Sequence, residues 1–418
     1  MIVRALLALG LTLAGCRSVP VPPAPSGPSL EAKAEAFERD LASHLSPEGL
    51  LVYRLDPRID VAAGRYGELA DGAIWTGCLL AAETLRHSVT GAPEASARAA
   101  RAVHALLLLE RVTGVPGFYA RSFNREGPGG TLLWKGDVSR DQYAGIVFGL
   151  AAAWRLHPEA GLRRRVAGAA ERIARHLIEH DFRLTGPDGE VTTYGDLRGT
   201  MFGVPIGVNA LISLAALGLA LEATGAPEFR AALDRCDRRG WFEAARWAHV
   251  EVLGITNYNN VNMAFLAISA LLGMRADPRL RAAALATLER SYAAVAGEGN
   301  ALADAVWLGE RPRDDRALED ARRTLERFPL DRRARPVDLR GRPEFPRRLL
   351  PDRKGVPRSS VPIPPDLRPA SAFLWKSDPH LLVGNQAPGS ERRKYSGCDY
   401  LLAYWMLRSR GFLEEVER

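Results

Sequence analysis

Helical segments of two kinds alternate along this chain, and this alternation limits the possible folds more than any other feature of the sequence. One kind is small and apolar with few charges, as in residues 204–221 and 261–272. The other kind carries arginines along one face, as in residues 163–175. A helix that is apolar on all sides is buried, whereas a helix with one charged face packs on the outside. The pattern therefore predicts an inner and an outer layer of helices.

Twelve helical segments are predicted from the hydrophobic periodicity and from joins marked by Gly and Pro. They cover residues 30–46, 68–89, 92–113, 139–157, 159–181, 203–223, 226–239, 259–273, 277–295, 299–309, 314–327 and 397–410. Six inner and six outer helices in alternation describe an all-α (α/α)6 six-hairpin toroid, and the irregular repeat lengths argue against a solenoid. We expect residues 30–418 to form this single domain, with 328–370 as a long irregular insertion rich in Pro and Arg.

The N-terminal residues indicate export and a lipid anchor. Residues 1–15 contain Arg4, an apolar stretch and small residues before Cys16, which is typical of a bacterial lipoprotein signal peptide. The alternative is a first helix turned into the core. We expect a lipid on the Cys16 thiol and a stiff Pro-rich tether over 16–29. This predicts a membrane partner through the lipid and a place in the cell envelope, at the periplasmic face of the outer membrane or at the cell surface.

The composition and the spacing of reactive residues argue against several other classes of function. Hydrophobic residues make up 47% and charged residues 25% of the chain, as in globular proteins. The net charge of +7 comes from arginines spread over helices, so we expect no nucleic-acid partner. The histidines and Cys78, Cys236 and Cys398 lack metal-site spacing, and no nucleotide fingerprint is present, so we expect no metal and no cofactor. The sequence leaves the oligomeric state open.

Polar and aromatic residues concentrate where the inner helices begin. All inner helices of a toroid run in the same direction, because an outer helix returns the chain each time. Their N-termini therefore share one face. The residues at these starts include Asp71, Trp75, Trp134, Lys135, Asp137, Asp141, Gln142, Tyr258, Asn259, Trp307 and Asp399. We expect a functional site on this face.

Four motifs near these starts resemble the six-hairpin glycosidase-like superfamily. They are Asp-Gly-x-x-Trp-Thr-Gly from Asp71, Gly-x-x-x-Arg-Ser from Gly117, Trp-Lys-Gly-Asp-x-Ser-x-Asp-Gln from Trp134, and Ser-Gly-x-Asp-Tyr-Leu-Leu from Ser396. The resemblance covers residues 60–410 and is strongest to bacterial lipoprotein members. It implies the toroid fold and a reaction on sugars, since its members include unsaturated glucuronyl hydrolases, sugar epimerases and polysaccharide lyases. It assigns no catalytic residue in this chain.

Four aspartates are the candidates for acid/base catalysis. Glycoside cleavage commonly uses two carboxylates that flank the scissile bond. We expect Asp137 or Asp141 to supply one group and Asp399 or Asp71 the other. If Asp137 and Asp141 are both helical, they lie on one face, because residues four apart are neighbours. The competing interpretation is that Asp137 and Asp71 cap their helices at the N-terminus.

Other side chains at the same face suit a sugar ligand. Candidate stacking platforms are Trp75, Trp134, Trp307 and Trp375, with core packing as the alternative. Candidate partners for carboxylate or sulfate groups are Arg121, Lys135 and Lys376, which helix N-termini would assist; salt bridges to a rim aspartate are the alternative. Candidate partners for hydroxyl groups are Gln142, Tyr258 and Asn259.

Together these features predict a lipid-anchored toroid that binds an acidic saccharide and acts as a glycoside hydrolase or a lyase. A lyase would use a tyrosine such as Tyr143, Tyr258 or Tyr395 as the base. The alternative is a non-catalytic lipoprotein that binds carbohydrate or peptidoglycan, or one that has a structural role in the envelope.

Overall fold

The structure is a computed structural model that describes residues 22–23, 26–66, 69–125, 130–248, 251–252, 255–352 and 354–413. Residues 1–15, predicted as a signal peptide, lie outside the described residues. So do Cys16 and residues 17–21 and 24–25 of the predicted tether.

All twelve predicted segments contain a helix. The helices are α1 (Leu30–Asp40), α2 (Gly72–Thr90), α3 (Pro93–Arg111), α4 (Arg140–Leu156), α5 (Ala160–Glu179), α6 (Gly207–Thr224), α7 (Pro227–Arg238), α8 (Trp241–Ala245), α9 (Tyr258–Leu272), α10 (Pro278–Ala293), α11 (Ala301–Leu308), α12 (Asp315–Glu326) and α13 (Cys398–Arg408). Only the short α8 was not expected. The prediction of an all-α (α/α)6 toroid is confirmed.

Six helices form a closed inner ring. In the order α2, α4, α6, α9, α11 and α13, each helix packs against the next, and α13 packs back against α2. Helices α3, α5, α7, α10 and α12 each pack outside the inner helix that precedes them, and α1 packs on α13 as the sixth outer helix. Among the described helices, α6 is long and apolar enough to cross a membrane, but 83% of its 18-residue window is buried inside the protein.

The two ends of the toroid differ in how the chain connects its helices. Joins from an inner to an outer helix are short, such as Gly91–Ala92 between α2 and α3, where Gly91 ends α2 in the left-handed region at φ 66°. Joins from an outer to an inner helix are longer and run along the face where the inner helices begin. We call this face the N-face. Long joins leave room there for functional side chains.

Short antiparallel strand pairs stiffen the connecting segments. Four pairs are hairpins in joins to α4, α6 and α9: β2 with β3 (Ser122–Arg125, Leu132–Lys135), β4 with β5 (Arg183–Thr185, Val191–Asp196), β6 with β7 (Thr200–Met201, Val204–Pro205) and β8 with β9 (Glu251–Val252, Ile255–Thr256). The other two join distant segments: β1 with β12 (Arg54–Leu55, Lys394–Tyr395) and β10 with β11 (Val337–Asp338, Val383–Gly384).

The connection from α12 to α13 packs around a second small core. Leu339, Phe345, Ile363 and Leu382 form this cluster, apart from the main core of the toroid. The β10–β11 pair links its two ends. Residues 328–370 therefore form a packed structure, and the connection continues through residue 397 before α13 begins.

Helices α2 and α4 approach each other through glycines. A Cβ atom on Gly77 of α2 would collide with the carbonyl oxygen of Gly145 on α4. A Cβ on Gly145 would lie 2.5 Å from the carbonyl oxygen of Ile74, and one on Gly149 would collide with the backbone of Gly77. The three glycines therefore allow the two backbones to meet. This contact brings the N-termini of α2 and α4 together at the N-face.

A buried charge cluster joins α1 to the ring. Arg86 and Arg98 both contact the carboxylates of Glu38 on α1 and Glu83 on α2. Burial, aided by the charge of Glu38, raises the pKa of Glu83 to about 8. Trp405 of α13 donates its indole N–H to Glu38 at 3.1 Å. The cluster therefore connects α1, α2, α3 and α13 where the ring closes.

We expect the Gly77→Ala variant to be less stable than the parent by about 1–3 kcal/mol or more, because the added methyl group forces two backbones apart. Urea unfolding followed by circular dichroism measures this loss. The matched control is Gly168→Ala on α5, where a Cβ meets only the end of the Arg172 side chain at 3.3 Å. There we expect unchanged or slightly increased stability, since Ala favours a helix over Gly. Equal effects of the two substitutions would contradict the proposed role of the glycines.

Candidate functional site

Asp71 is the centre of a polar cluster on the N-face. One oxygen of its carboxylate accepts hydrogen bonds from Arg121 at 3.1 Å and from the Gln142 amide at 3.2 Å. The other oxygen lies 3.3 Å from the Lys376 ammonium. Asp71 makes no side-chain cap bond to α2. Three other predicted residues, each from a different segment of the chain, therefore contact the Asp71 carboxylate.

Arg121 and Gln142 position the helix starts. The Arg121 guanidinium donates to the carbonyl oxygens of Ala70 at 2.5 Å and Asp137 at 2.9 Å, and to the Ser139 hydroxyl at 3.0 Å. The Gln142 side-chain oxygen accepts the Ile74 N–H at 3.0 Å. Both side chains thus form hydrogen bonds with other groups of the protein. They hold the first turns of α2 and α4 next to Asp71.

Asp137 and Asp141 do not lie on one helix face. Asp137 lies before α4 in the left-handed region at φ 53°, and its carboxylate accepts the backbone N–H of Thr193 at 2.7 Å. It is not the N-cap either, because Ser139 holds that position. Asp141 turns toward its own helix start and accepts from the Ser139 hydroxyl and its neighbour's backbone N–H. A shared helix face required both residues to be helical, and Asp137 precedes α4, which begins at Arg140.

Asp399 is an interior ion-pair partner. Its side chain is fully buried and accepts from Arg332 and from the backbone N–H of Leu374, both at 2.8 Å. Burial raises the pKa of Asp399, although Arg332 opposes the shift. Since the carboxylate does not reach the surface, its prediction as a catalytic group does not fit the structure. It anchors the start of α13 to the segment at Leu374.

The four tryptophans do not form a set of exposed platforms. Trp75 is buried and stacks on Phe373, with ring centroids 4.4 Å apart. Trp375 is buried and donates its indole N–H to the carbonyl oxygen of Asp399 at 2.7 Å. For these two residues the alternative of core packing is correct.

The remaining aromatic and cationic candidates are Trp307, Trp134 and Lys135. Trp307 lies in the last turn of α11 and donates to Asp314 at the start of α12, so it is at the end opposite the N-face. It was misplaced because α11 has only eight residues. Trp134 and Lys135 lie on β3, where Trp134 packs partly buried against the core.

A cavity of about 390 Å³ opens on the N-face beside this cluster, and we call it the N-face pocket. It lies between the first turn of α9 and the α12–α13 connection. Its polar lining residues include Asn257, Tyr258, Asn259, Ser371, Lys376, Ser377, Asp378 and Asn385. Tyr258, Asn259 and Lys376 were predicted from the sequence. Because Lys376 also contacts Asp71, it joins the pocket to the Asp71 cluster.

A chain of hydrogen bonds supports one wall of the pocket. Tyr258 donates its hydroxyl to Glu298 at 2.9 Å, and the other oxygen of Glu298 lies 3.1 Å from Nε2 of His380. Nδ1 of His380 lies 3.1 Å from the carbonyl oxygen of Ser359. Burial and the negative charge of Glu298 raise the pKa of Tyr258 well above its usual value. The phenol therefore keeps its proton, which does not suit the role of a lyase base.

Asp378 is a carboxylate on the pocket lining that the sequence analysis did not select. Its side chain is 13% exposed and lies 2.9 Å from the Arg358 guanidinium. Burial raises the pKa of Asp378, more than Arg358 and the backbone N–H of His380 lower it. The repeat of Leu133–Asp137 as Leu374–Asp378 is a signal that points to Asp378. Glu298 and His380 had no local signal, because their contact joins residues 82 positions apart.

Metal and thiol chemistry find no support in the described residues. In that part of the chain, no group of three or more His, Cys, Asp or Glu residues is arranged to hold a metal ion. Cys78, Cys236 and Cys398 are free and buried. Burial raises the pKa of Cys236 to about 12 and shifts the other two thiols upward as well.

Several solved structures are similar to this chain. A sugar epimerase from a ruminal bacterium matches with a TM-score of 0.50 and 13% identity, over 91% of this chain and 99% of that chain. A cellobiose 2-epimerase from Spirochaeta thermophila DSM 6192 matches with a TM-score of 0.45 and 16% identity, over 92% and 98%. A family 76 glycoside hydrolase (mannosidase) from Bacteroides thetaiotaomicron VPI-5482 matches with a TM-score of 0.46 and 12% identity, over 91% of this chain and 97% of that chain.

No family model matches the chain, and no curated protein matches it. At these identities the likeness to solved structures concerns the fold alone. The expected (α/α)6 toroid is confirmed as the fold of this chain.

We expect Asp71→Asn to destabilise the protein by about 1–3 kcal/mol, because two largely buried cations lose their shared charged acceptor. Urea unfolding at pH 7 measures this change. The matched control is Asp338→Asn, which removes the pair between Asp338 and Arg340 on the exposed surface. Exposed pairs contribute little, so the control should unfold like the parent. A parent-like Asp71→Asn would mean that Asp71 does not hold the cluster together.

Proposed function

We propose that this chain is an envelope protein that binds an acidic saccharide in the N-face pocket. The observation that carries the proposal is the lining of this pocket, which places amide, hydroxyl, amine and carboxyl groups around one cavity. Sugars present closely spaced hydroxyl groups, and such mixed donors and acceptors match them. The likeness to a sugar epimerase fold agrees with this proposal.

The proposed preference for acidic sugars rests on the charges around the pocket. The first turn of α9 lines the cavity, and a helix N-terminus favours anions. Lys354 and Lys376 add two ammonium groups. Asp352 and Asp378 also line the cavity, but Asp378 is paired with Arg358. A uronic acid carboxylate would bind between the α9 N-terminus and Lys376.

We propose Asp378 and Asp71 as the acid and base of a glycoside hydrolase. Asp378 lines the N-face pocket, and Asp71 contacts Lys376, which lines the same pocket. Glycoside cleavage commonly uses a pair of carboxylates. The raised pKa of Asp378 suits a proton donor, since burial keeps the carboxyl protonated to higher pH. Asp71, fixed by three donors, would serve as the base.

Binding without turnover is the second candidate function. One observation favours it: both carboxylates already have cationic partners, Arg121 and Lys376 for Asp71 and Arg358 for Asp378. Ion pairs of this kind fix the positions of side chains around a ligand site. In that case the protein would present saccharide-binding groups and leave the bond intact.

We expect oligogalacturonate to bind more tightly than cellotetraose, and Lys376→Ala to weaken the acidic ligand by about tenfold or more. A hydrogen bond to a charged group contributes roughly 1.5–3 kcal/mol, which is the physical reason for this size. Isothermal titration calorimetry measures both affinities. The matched control is Lys394→Ala, which also removes a lysine paired with an aspartate, here Asp40, away from the pocket.

The control should bind like the parent, and equal losses in the two variants would refute the assignment of the pocket. Turnover is read separately, as release of reducing ends. Asp378→Asn should abolish release while binding persists. Binding in the parent without any release would establish the second candidate function instead.

We also propose that the chain is anchored to a bacterial membrane by a lipid on Cys16, at the periplasmic face of the outer membrane or at the cell surface. The support is the sequence of residues 1–16 alone. Cys16→Ser should abolish incorporation of a clickable palmitate analogue, because no thiol remains there to carry the lipid. The matched control is Ser18→Ala, which should label like the parent. Labelling of Cys16→Ser would refute the anchor.

A further inference from the structure

We propose that the toroid carries a docking site for an extended proline-rich segment, and that Pro22 and Pro23 are held there as an intramolecular strap. A cavity of about 360 Å³ is lined on one side by Pro22 and Pro23. The opposite side consists of the 297–299 turn, the end of α12 and residues 361–365. We call this cavity the strap groove. It is separate from the N-face pocket.

Arg327 connects the strap to the wall of the strap groove. Its guanidinium forms a two-point ion pair with Asp366, at 2.7 and 3.0 Å, and only 6% of its side chain is exposed. The remaining terminal nitrogen donates to the carbonyl oxygen of Pro22 at 2.5 Å. Asp366 therefore fixes the plane of the guanidinium, and the free N–H points at the strap. A rigid, buried donor of this kind selects a backbone carbonyl at a defined place.

The chemistry of the groove matches an extended proline-rich chain. Such a chain adopts the polyproline II form, whose carbonyl groups have no internal hydrogen-bond partners and are free to accept. The facing wall is itself rich in proline, with Pro362, Pro364 and Pro365 around Ile363. Pro22 is partly buried beside this wall, and a proline ring has no flexible side chain to order on docking. Binding of a pre-ordered segment loses little conformational entropy.

The chain after the strap is fixed to the same end of α12. Ser29 caps α1, and the buried ammonium of Lys33 donates to the carbonyl oxygens of Leu325 at 3.3 Å and Phe328 at 3.0 Å. Lys33 and Arg327 thus hold the N-terminal segment at two points. The described part of this segment therefore contacts the toroid at Pro22 as well as at Lys33.

The strap groove shares a wall with the N-face pocket. Arg368 lines both cavities and donates to the carbonyl oxygens of Glu298 and Gly299, at 2.6 and 2.9 Å. Glu298 in turn accepts the hydroxyl of Tyr258 in the pocket. The strap is therefore packed behind the pocket wall.

A distance measurement between spin labels tests the strap. Labels are placed at Ser26→Cys and Glu319→Cys in the full chain carrying Cys16→Ser; the three buried cysteines stay unlabelled. We expect a narrow distance distribution in this parent. Arg327→Ala should widen it roughly twofold, because a released segment samples coil conformations. The matched control is Arg323→Ala, which lines the same groove but pairs with Asp320, and it should keep the narrow distribution.

A broad distribution in the parent, or a narrow one in Arg327→Ala, would overturn the proposal. Because Arg327→Ala leaves Asp366 without its partner, circular dichroism must show that it stays folded. A second variant, Pro22→Gly with Pro23→Gly, leaves the toroid core intact and removes the polyproline preference. It should also widen the distribution, and a parent-like result for this variant would contradict the groove's selectivity for proline.

Discussion

The close approach of α2 and α4 is the contact on which the N-face depends. It exists because Gly77, Gly145 and Gly149 have no side chains to separate the two backbones. With the helices this close, the Gln142 amide on α4 reaches both the start of α2 and the Asp71 carboxylate. The polar cluster is therefore a consequence of backbone packing in the core below it. A larger residue in that contact would move the two helix starts apart and, with them, the groups that Asp71 collects.

Lys376 shows how the long α12–α13 connection completes the site. The inner helices supply Asp71, Tyr258 and Asn259, but these residues alone form an open rim. The connection folds over this rim around its own small core and brings Lys376 between Asp71 and the pocket. The scaffold is thus shared with other toroids of this fold, whereas the pocket belongs to a segment with little periodicity. Loops held by a rigid scaffold are the usual place for such differences in function.

The helices could be predicted because burial leaves a periodic pattern in each segment; the exception is α8, which has only five residues. The site was predicted in part, since motifs near the helix starts pointed to Asp71, Arg121, Gln142 and Lys376. The errors arose where position depends on something other than local pattern. Asp137 lies before α4, in a left-handed backbone conformation. Asp399 is buried in an ion pair with Arg332, which is 67 positions away in the sequence. No periodicity in the sequence reports a contact between such distant residues.

The ring is closed by helices from opposite ends of the chain, and this has a consequence for the order of folding. Tyr400 donates to the carbonyl oxygen of Leu30 across 370 positions, and Trp405 reaches Glu38 across 367. Contacts so distant in sequence form late, because the loop between them loses much entropy on closure. Among the described helices, α1 is synthesised first, yet its partner α13 follows almost the entire domain. Helix α1 is thus among the last of them to reach its native neighbours, and the toroid stays open along this edge until then.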